Sequence, residues 1–435
     1  MGVRPVEVKG WVLVSRPRND TGKVVILTPQ MHKLPKPLIL TAAFLCTFVW
    51  AGCGFYAFSL FVKPLQDTFA WERGAVMAAF TITFLISGLI SPFVGIALHR
   101  WGDRKTVIAS VIIFGAGLLG LSTVNSLPQY YFYSGIMGLG LTGIGPMPAS
   151  NIITHHFHEK RGMAIGIMSA GIGLGGLVFS PLISSLLIPS FGWRMVYVFL
   201  AVFSWLTLIP ITALALKPKG PAAGLSDTNE STSHTRVRLY GVTLKQALSK
   251  KAFWLIILVV FFSQLSQVGA IQNQVPYMND LGFPLTLASL CLGLIGFSSA
   301  VGKYVFGWLC DHIRANHAGL IGIALQAAGI IILLNISSTS PASLAITYSL
   351  VLGFGTGAWL PTLSMMVSEN LGIREYSKIF GAATLSYAVG TALGPLFTSL
   401  IFQQTGDYKI AFICLLALYA LSAPAAMLIK KAYLR

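Results

Sequence analysis

The chain has 435 residues, 55% of them hydrophobic and only 10% charged, which leaves too little polar surface to solvate a globule of that length. Its 30 Lys and Arg against 13 Asp and Glu give a formal net charge of +17. Five Cys, at 46, 53, 291, 310 and 414, form no CxxC pair, which excludes a thiolate metal site or disulfide framework and leaves them as small packing residues.

In chain order, residues 1–30 hold Pro, Gly and five Lys or Arg but no apolar run of the signal-peptide kind, so no cleavage is expected. Met31, which opens MHKLPKPLIL, is an alternative start, and 1–37 is read as an N-terminal arm outside the fold. Twelve apolar stretches follow, near 38–62, 74–98, 106–125, 130–153, 163–188, 194–216, 252–275, 284–309, 317–336, 341–366, 378–402 and 408–430. A hydrocarbon core about 30 Å thick needs about 20 apolar residues at 1.5 Å rise each, so each stretch is long enough to cross a bilayer. They fall into two sets of six, 38–216 and 252–430, around a basic, polar segment at 217–251, and leave a tail at 431–435. Within that segment GPAAGLSDTNESTSHT, residues 220–235, has linker composition. The expected fold is an all-α membrane protein of 12 transmembrane helices in two six-helix bundles.

Charge gives the expected orientation. In this layout 25 of the 30 Lys and Arg lie on the side of the termini and the central segment; Lys63, Arg73, Arg194 and Lys409 lie opposite, and Lys303 alone stands inside a span. The positive-inside rule then puts both termini in the cytoplasm, with the chain in the cell membrane. The net charge is read as this orientation signal and not as a nucleic-acid footprint.

The two halves echo each other. Gly95 stands four positions before His99-Arg100 at the end of the second span, and Gly307 four before Asp311-His312 at the end of the eighth; a motif recurring six spans apart implies a duplicated unit. The first copy, GIALHRWGDRK at 95–105, resembles the GxxxDRxGxR(K/R) loop of the major facilitator superfamily, with His99 where Asp is expected and Arg100, Gly102, Arg104 and Lys105 in place. The second copy keeps Asp311 and has His312 for Arg. With its usual Asp missing, the first loop could latch through Asp103. Residues 138–181, with GFYAFSLFVKPLQDTFAW at 54–71, VPYMNDLG at 275–282, GPLFTSLIFQQTGDYKIAF at 394–412 and Gly192-Trp193-Arg194, resemble the monocarboxylate transporters and the oxalate/formate antiporter group within that superfamily. The resemblance implies alternating access about a midplane cavity, with gating residues Gly95, His99, Arg100, Asp103, Arg104, Gly307 and Asp311.

Two strings invite other readings. GIGLGG at 171–176 fits a GxGxxG pattern, but it lies in an apolar span with no preceding strand, which excludes a nucleotide loop. Gly166, Gly171, Gly173, Gly175 and Gly176 instead let helices approach to backbone contact. His155, His156 and His158 fall in a short loop with only Glu159 nearby, and read as solvated rather than metal-binding.

No Asp, Glu or His lies near the middle of a span, so Lys303, in GFSSAVGKYVFGW, is the one such charge at depth. Burying an ammonium costs at least about 2.5–3.5 kcal/mol on insertion scales, so it is expected to face a watery path and meet an anion. Asp311 is eight residues on, about 12 Å by helical rise, too far for easy snorkelling. The resemblance sharpens the role: the related carriers place a substrate-binding Arg at the position of Lys303, proton-coupled members have an Asp where Ser299 stands, and the oxalate carrier's second cation in the eleventh span has no counterpart in SYAVGTALGP at 386–395. One cation favours a monoanion, and Lys lacks the bidentate fork of Arg. Polar lining is expected from Tyr56, Tyr131, Asn151, Gln264, Gln267, Asn273, Trp359 and Tyr387, with Tyr56 and Tyr387 as hydroxyl donors. The expected activity is secondary transport of a small organic monocarboxylate by a monomer in the lipid bilayer, coupled to a proton or a counter-anion, with no cofactor, metal or nucleic acid. The alternatives are an exporter of small drugs and a non-transporting sensor on the same scaffold.

Overall fold

The computed structural model describes residues 36–157, 161–216, 241–372 and 374–431, together with three short strands between residues 7 and 29. Those strands lie within the N-terminal arm, residues 1–37. β1 (Glu7–Val8), β2 (Trp11–Arg16) and β3 (Val24–Pro29) pair antiparallel in chain order, with Trp11 opposite Pro29 and Arg16 opposite Val24. The runs WVLVSR and VVILTP are rich in β-branched and aromatic residues, which suits paired strands.

Helices make up the rest. Span 1 runs Lys36–Val49, a π-helical stretch Trp50–Tyr56, then Ala57–Phe69. Spans 2 and 3 are Arg73–Trp101 and Asp103–Ser122. Span 4 is Leu127–Ile144 with Pro146–His156, span 5 is Arg161–Pro181 with a π-helical end Leu182–Leu187, and span 6 is Ile188–Ala215. In the second half, spans 7, 8 and 9 are Lys251–Asp280, Leu285–His312 and Ala315–Leu334. Span 10 is Ala342–Thr356 with Trp359–Leu371, and spans 11 and 12 are Tyr376–Thr405 and Tyr408–Leu428.

By length and apolar composition alone, ten stretches among the described residues qualify as crossings. Two local breaks account for the difference from twelve. Met163–Ala215 is 53 residues long, about 80 Å of helix against a core of about 30 Å, and Gly192 at φ 74° and ψ 158° turns the chain near the start of span 6. That left-handed conformation is open to glycine and strained for other residues. Span 4 is interrupted at Gly145, which is extended because Pro146 disfavours a helical residue before it. A single residue, Gly102 at φ 83°, joins spans 2 and 3, which is why the motif loop needs glycine there.

The bundles, spans 1–6 and 7–12, meet along spans 2 and 11, 5 and 8, and 1 and 7. Small residues make that meeting close. A Cβ placed on Gly173 would lie 2.5 Å from the Gly296 carbonyl oxygen and 3.1 Å from the Ala300 Cβ, and one on Gly88 would lie 3.1 Å from the Ala388 Cβ. Seven residues are nearly two helical turns, so the same faces continue to Gly166 and Gly307 on spans 5 and 8, and to Gly95 and Gly381 on spans 2 and 11. There a Cβ would meet nothing within 4 Å, or for Gly95 only the Met147 methyl at 3.5 Å. The paired helices therefore touch at their middles and splay apart toward the end that carries the linker and the C-terminus.

Polar bonds between the bundles gather in the middle and at the far end. Gln272 donates to the Phe55 carbonyl at 2.9 Å, Thr81 to the Ala392 carbonyl at 2.7 Å and Ser184 to Ser289 at 2.5 Å. At the far rim Gln403 donates to Glu72, and Arg73 pairs with Asp280.

At the splayed end, the chain entering span 7 is tied to the loop between spans 10 and 11. Thr243 and Gln246 form a capping box on the helix Leu244–Leu248, and the Leu244 N–H donates to Glu375 at 2.7 Å. That bond and the Lys378 ammonium hold the Glu375 carboxyl below its ordinary range. The stretch 220–235 lies outside the described residues.

Candidate functional site

The site begins with the π-helical stretch of span 1. Widening the helix there frees backbone groups and re-aims side chains. Tyr56, at its end, is buried, with its ring against Gly176 of span 5. Its hydroxyl reaches span 8, where a Cβ on Gly296 would lie 3.2 Å away. Gly296, Ser299 and Lys303, spaced i, i+3 and i+7, share one face of span 8.

Span 10 completes the wall. Its hydrogen bonds tighten at Gly357 and Ala358, whose N–H groups donate to the Phe354 and Gly355 carbonyls while the backbone stays helical, and a Cβ on Gly357 would lie 2.5 Å from the Lys303 backbone nitrogen. Two residues on, Trp359 reaches span 11. There the Trp359 ring stacks on Tyr387 with centroids 3.8 Å apart and planes at 10°. Behind Trp359 the second bundle holds a cavity of about 40 Å³, lined among others by Ser263, Gln264, Gln326 and Thr362, which is room for about one or two waters.

Tyr56 thus lies against Gly296 of span 8, Gly357 of span 10 packs against Gly302 and the Lys303 backbone, and Trp359 stacks on Tyr387 of span 11. Lys303 is half-buried, and its ammonium has no hydrogen-bond or ion-pair partner among the described residues. An unpaired cation on a polar face between two packed bundles is equipped to receive an anion.

Other expected lining residues are committed elsewhere. Asn273 is fully buried; its amide donates to the Gly269 and Pro395 carbonyls at 3.0 and 3.2 Å, and its oxygen accepts from Ser399 at 2.7 Å and Tyr408 at 3.3 Å. It ties spans 7, 11 and 12 together. Tyr131 donates to the Ala75 carbonyl at 3.0 Å and joins span 4 to span 2. Asn151 donates to Asp103 at 3.3 Å at the splayed end, so it belongs with the gating loop. Gln267 accepts from Gln264 at 3.4 Å on the span 7 face that borders the cavity behind Trp359.

The residues expected to gate stand at the ends of spans 2 and 8 and the start of span 3, with Arg100 and Asp311 exposed and Arg104 partly buried. His99 is in the same helix end, and its side chain lies outside the described residues. His312 lies over Trp308, with ring centroids 4.3 Å apart.

The sequence reading placed Arg73 on the far side but gave it no partner. A signal was present: Arg73 opens span 2 and Asp280 closes span 7, so each charge opposes its own helix dipole and needs support from elsewhere. They support each other across the bundle boundary.

Comparison with known proteins agrees with this architecture. The family model described as Major Facilitator Superfamily matches residues 42–395 and 276–433. Monocarboxylate transporter 13 of Bos taurus is 24% identical over 358 residues, covering 82% of this chain and 80% of that protein. The multi-drug resistance efflux pump PmrA of Streptococcus pneumoniae is 26% identical over 337 residues, covering 77% and 81%. Among solved structures, a bacterial homolog of the human lysosomal transporter Spinster, in an inward-facing and unoccupied conformation, superposes with a TM-score of 0.68 at 17% identity over 92% of this chain and 98% of its own.

Proposed function

This chain belongs to the Major Facilitator Superfamily, and on that premise we propose that it is a secondary transporter of a small organic monocarboxylate, with both termini and the central linker in the cytoplasm. The observation that supports the reading is Lys303, whose ammonium has no hydrogen-bond or ion-pair partner among the described residues, one helical turn beyond Ser299 on the face of span 8 that Tyr56 meets at Gly296. A monoanion neutralises one charge and leaves no second one to bury, which lowers the cost of closing the bundles around it. Lys, a point charge with three rotatable donors, is less demanding of carboxylate orientation than Arg. The tyrosine hydroxyls supply neutral donors for the remaining oxygens. With the bundles splayed on the linker side, the cavity faces the cytoplasm in this reading.

The similarity to a multidrug efflux pump favours a second reading, export of small drugs. A buried ammonium repels cationic drugs, and every Asp and Glu stands away from the middle of the spans, so the two readings differ in the charge of the cargo. Counterflow with purified protein in liposomes separates them. Labelled lactate, pyruvate, formate and benzoate should accumulate, while oxalate, succinate and ethidium should not. Accumulation of ethidium with none of the monocarboxylates would exchange the first reading for the second, and counterflow of nothing would favour a sensor.

A further inference from the structure

Four basic side chains stand at the far end, and opening that end affects them differently. Lys63 pairs with Asp67 of its own helix at 2.9 Å. Arg194 is held by the Ser122 carbonyl at 2.8 Å and Asn125 at 2.9 Å within the first bundle. Lys409 is exposed. Arg73 differs in that its anionic partner sits on the opposite bundle. Its Nη1 and Nη2 donate to the two Asp280 carboxylate oxygens at 2.5 and 2.7 Å, Nη1 also to the Tyr408 hydroxyl at 3.2 Å, and the Phe402 ring centroid lies 4.6 Å from Cζ. Asp280, Phe402 and Tyr408 all belong to the second bundle. The remaining donor, Nε, bonds at 3.0 Å to Gln66 of span 1, in Arg73's own bundle. The Arg73 side chain is only 11% exposed.

Alternating access requires the bundles to part at this end. Arg73 then keeps Gln66 and loses Asp280, so a guanidinium still oriented by its own bundle faces the vestibule with its carboxylate fork empty. We propose that Arg73 is a second carboxylate-binding residue of the carrier: the fork that grips Asp280 in the closed vestibule receives the substrate carboxylate when the vestibule opens, and Asp280 is its built-in competitor. The chemistry is the same in both states, a planar pair of N–H donors against two carboxylate oxygens. The closing step returns Asp280 to the fork and displaces the anion toward Lys303, so the two cations serve the substrate in sequence. This inference rests on the monocarboxylate reading and on the cytoplasmic placement of the linker.

The test compares Arg73→Gln, Arg73→Lys and Asp280→Asn in reconstituted vesicles of known orientation, with labelled lactate, pyruvate, formate and benzoate offered from either side. If Arg73 receives substrate, Arg73→Gln should raise the far-side KM by about tenfold, the size of one charge-assisted hydrogen bond. Asp280→Asn, which removes the competitor and spares the fork, should lower it, and both should leave the linker-side KM within about twofold. Arg73→Lys should fall between wild type and Arg73→Gln, and it makes the same comparison if the Gln variant does not fold. A mere clasp predicts that Arg73→Gln and Asp280→Asn shift the far-side KM in the same direction, because each removes one half of it; that result overturns the inference and leaves the transport reading standing. Wild-type vesicles that take up none of the four anions overturn both.

Discussion

Lys303 stands alone as a basic residue deep in a span, and its consequences are testable one residue at a time. Lys303→Gln keeps the length of the stem and removes the charge, so the protein should fold as before while monocarboxylate uptake falls by roughly a hundredfold. Lys303→Arg should retain part of it, since the cation remains but its shape changes. Uptake kinetics beside a thermal-unfolding curve read both, and normal uptake by the Gln variant would remove Lys303 from the site. Asn273 makes the opposite case. Its amide is spent on four bonds inside the second bundle, so Asn273→Ala should lose about 1–3 kcal/mol of stability with the substrate KM unchanged. A shifted KM at unchanged melting temperature would return Asn273 to the cavity.

At the scale of elements, glycines decide how far helices approach. Gly173 packs against Gly296 in the closed middle, whereas Gly95, Gly166, Gly307 and Gly381 have open space on the continuation of the same faces. When the far end opens, rigid-body rocking brings these four positions to their partners, and a side chain there would hold them apart. Gly95→Leu should therefore reduce turnover by about tenfold, equivalent to roughly 1.4 kcal/mol of added barrier, with substrate affinity nearly unchanged. Equilibrium binding measured alongside counterflow distinguishes this from damage to the site; weakened binding with normal turnover would contradict the hinge role. Gly357 of span 10 acts differently: it packs against Gly302 and the Lys303 backbone, two residues before Trp359, whose ring stacks on Tyr387.

For the whole molecule the issue is coupling. An empty carrier must bury an unpaired Lys303 to reorient, whereas the loaded carrier buries a neutral pair, so exchange should run faster than net flux. Ser299 stands one helical turn before Lys303, and Ser299→Asp would put a titratable acid beside the cation. Uptake by that variant should rise more steeply as external pH falls than it does in wild type, because a protonated acid leaves Lys303 free for substrate while an ionised one occupies it. Initial uptake rates across imposed pH gradients give the comparison. Parallel pH profiles for the two proteins would mean that position 299 does not reach the ammonium.

Hydropathy and charge determined the number and placement of the spans, the two-bundle division and the depth of Lys303, because a bilayer imposes length and polarity on each helix separately. Resemblance in the motif loops added the family. Sequence also placed Tyr56, Trp359 and Tyr387 in spans 1, 10 and 11, but only the tertiary structure set the Trp359 ring on Tyr387 and Tyr56 against Gly176 and Gly296. It moved Asn151 to the gating loop and Asn273 and Tyr131 to helix ties, because a buried amide or hydroxyl takes whichever partner the neighbouring helix offers. The helix ends that carry Arg73 and Asp280 signal that each charge needs a partner, but not that they meet each other across 207 positions. Which end of the carrier is closed was likewise decided by packing, as the glycine faces that touch at their middles read identically in sequence to those that stand apart.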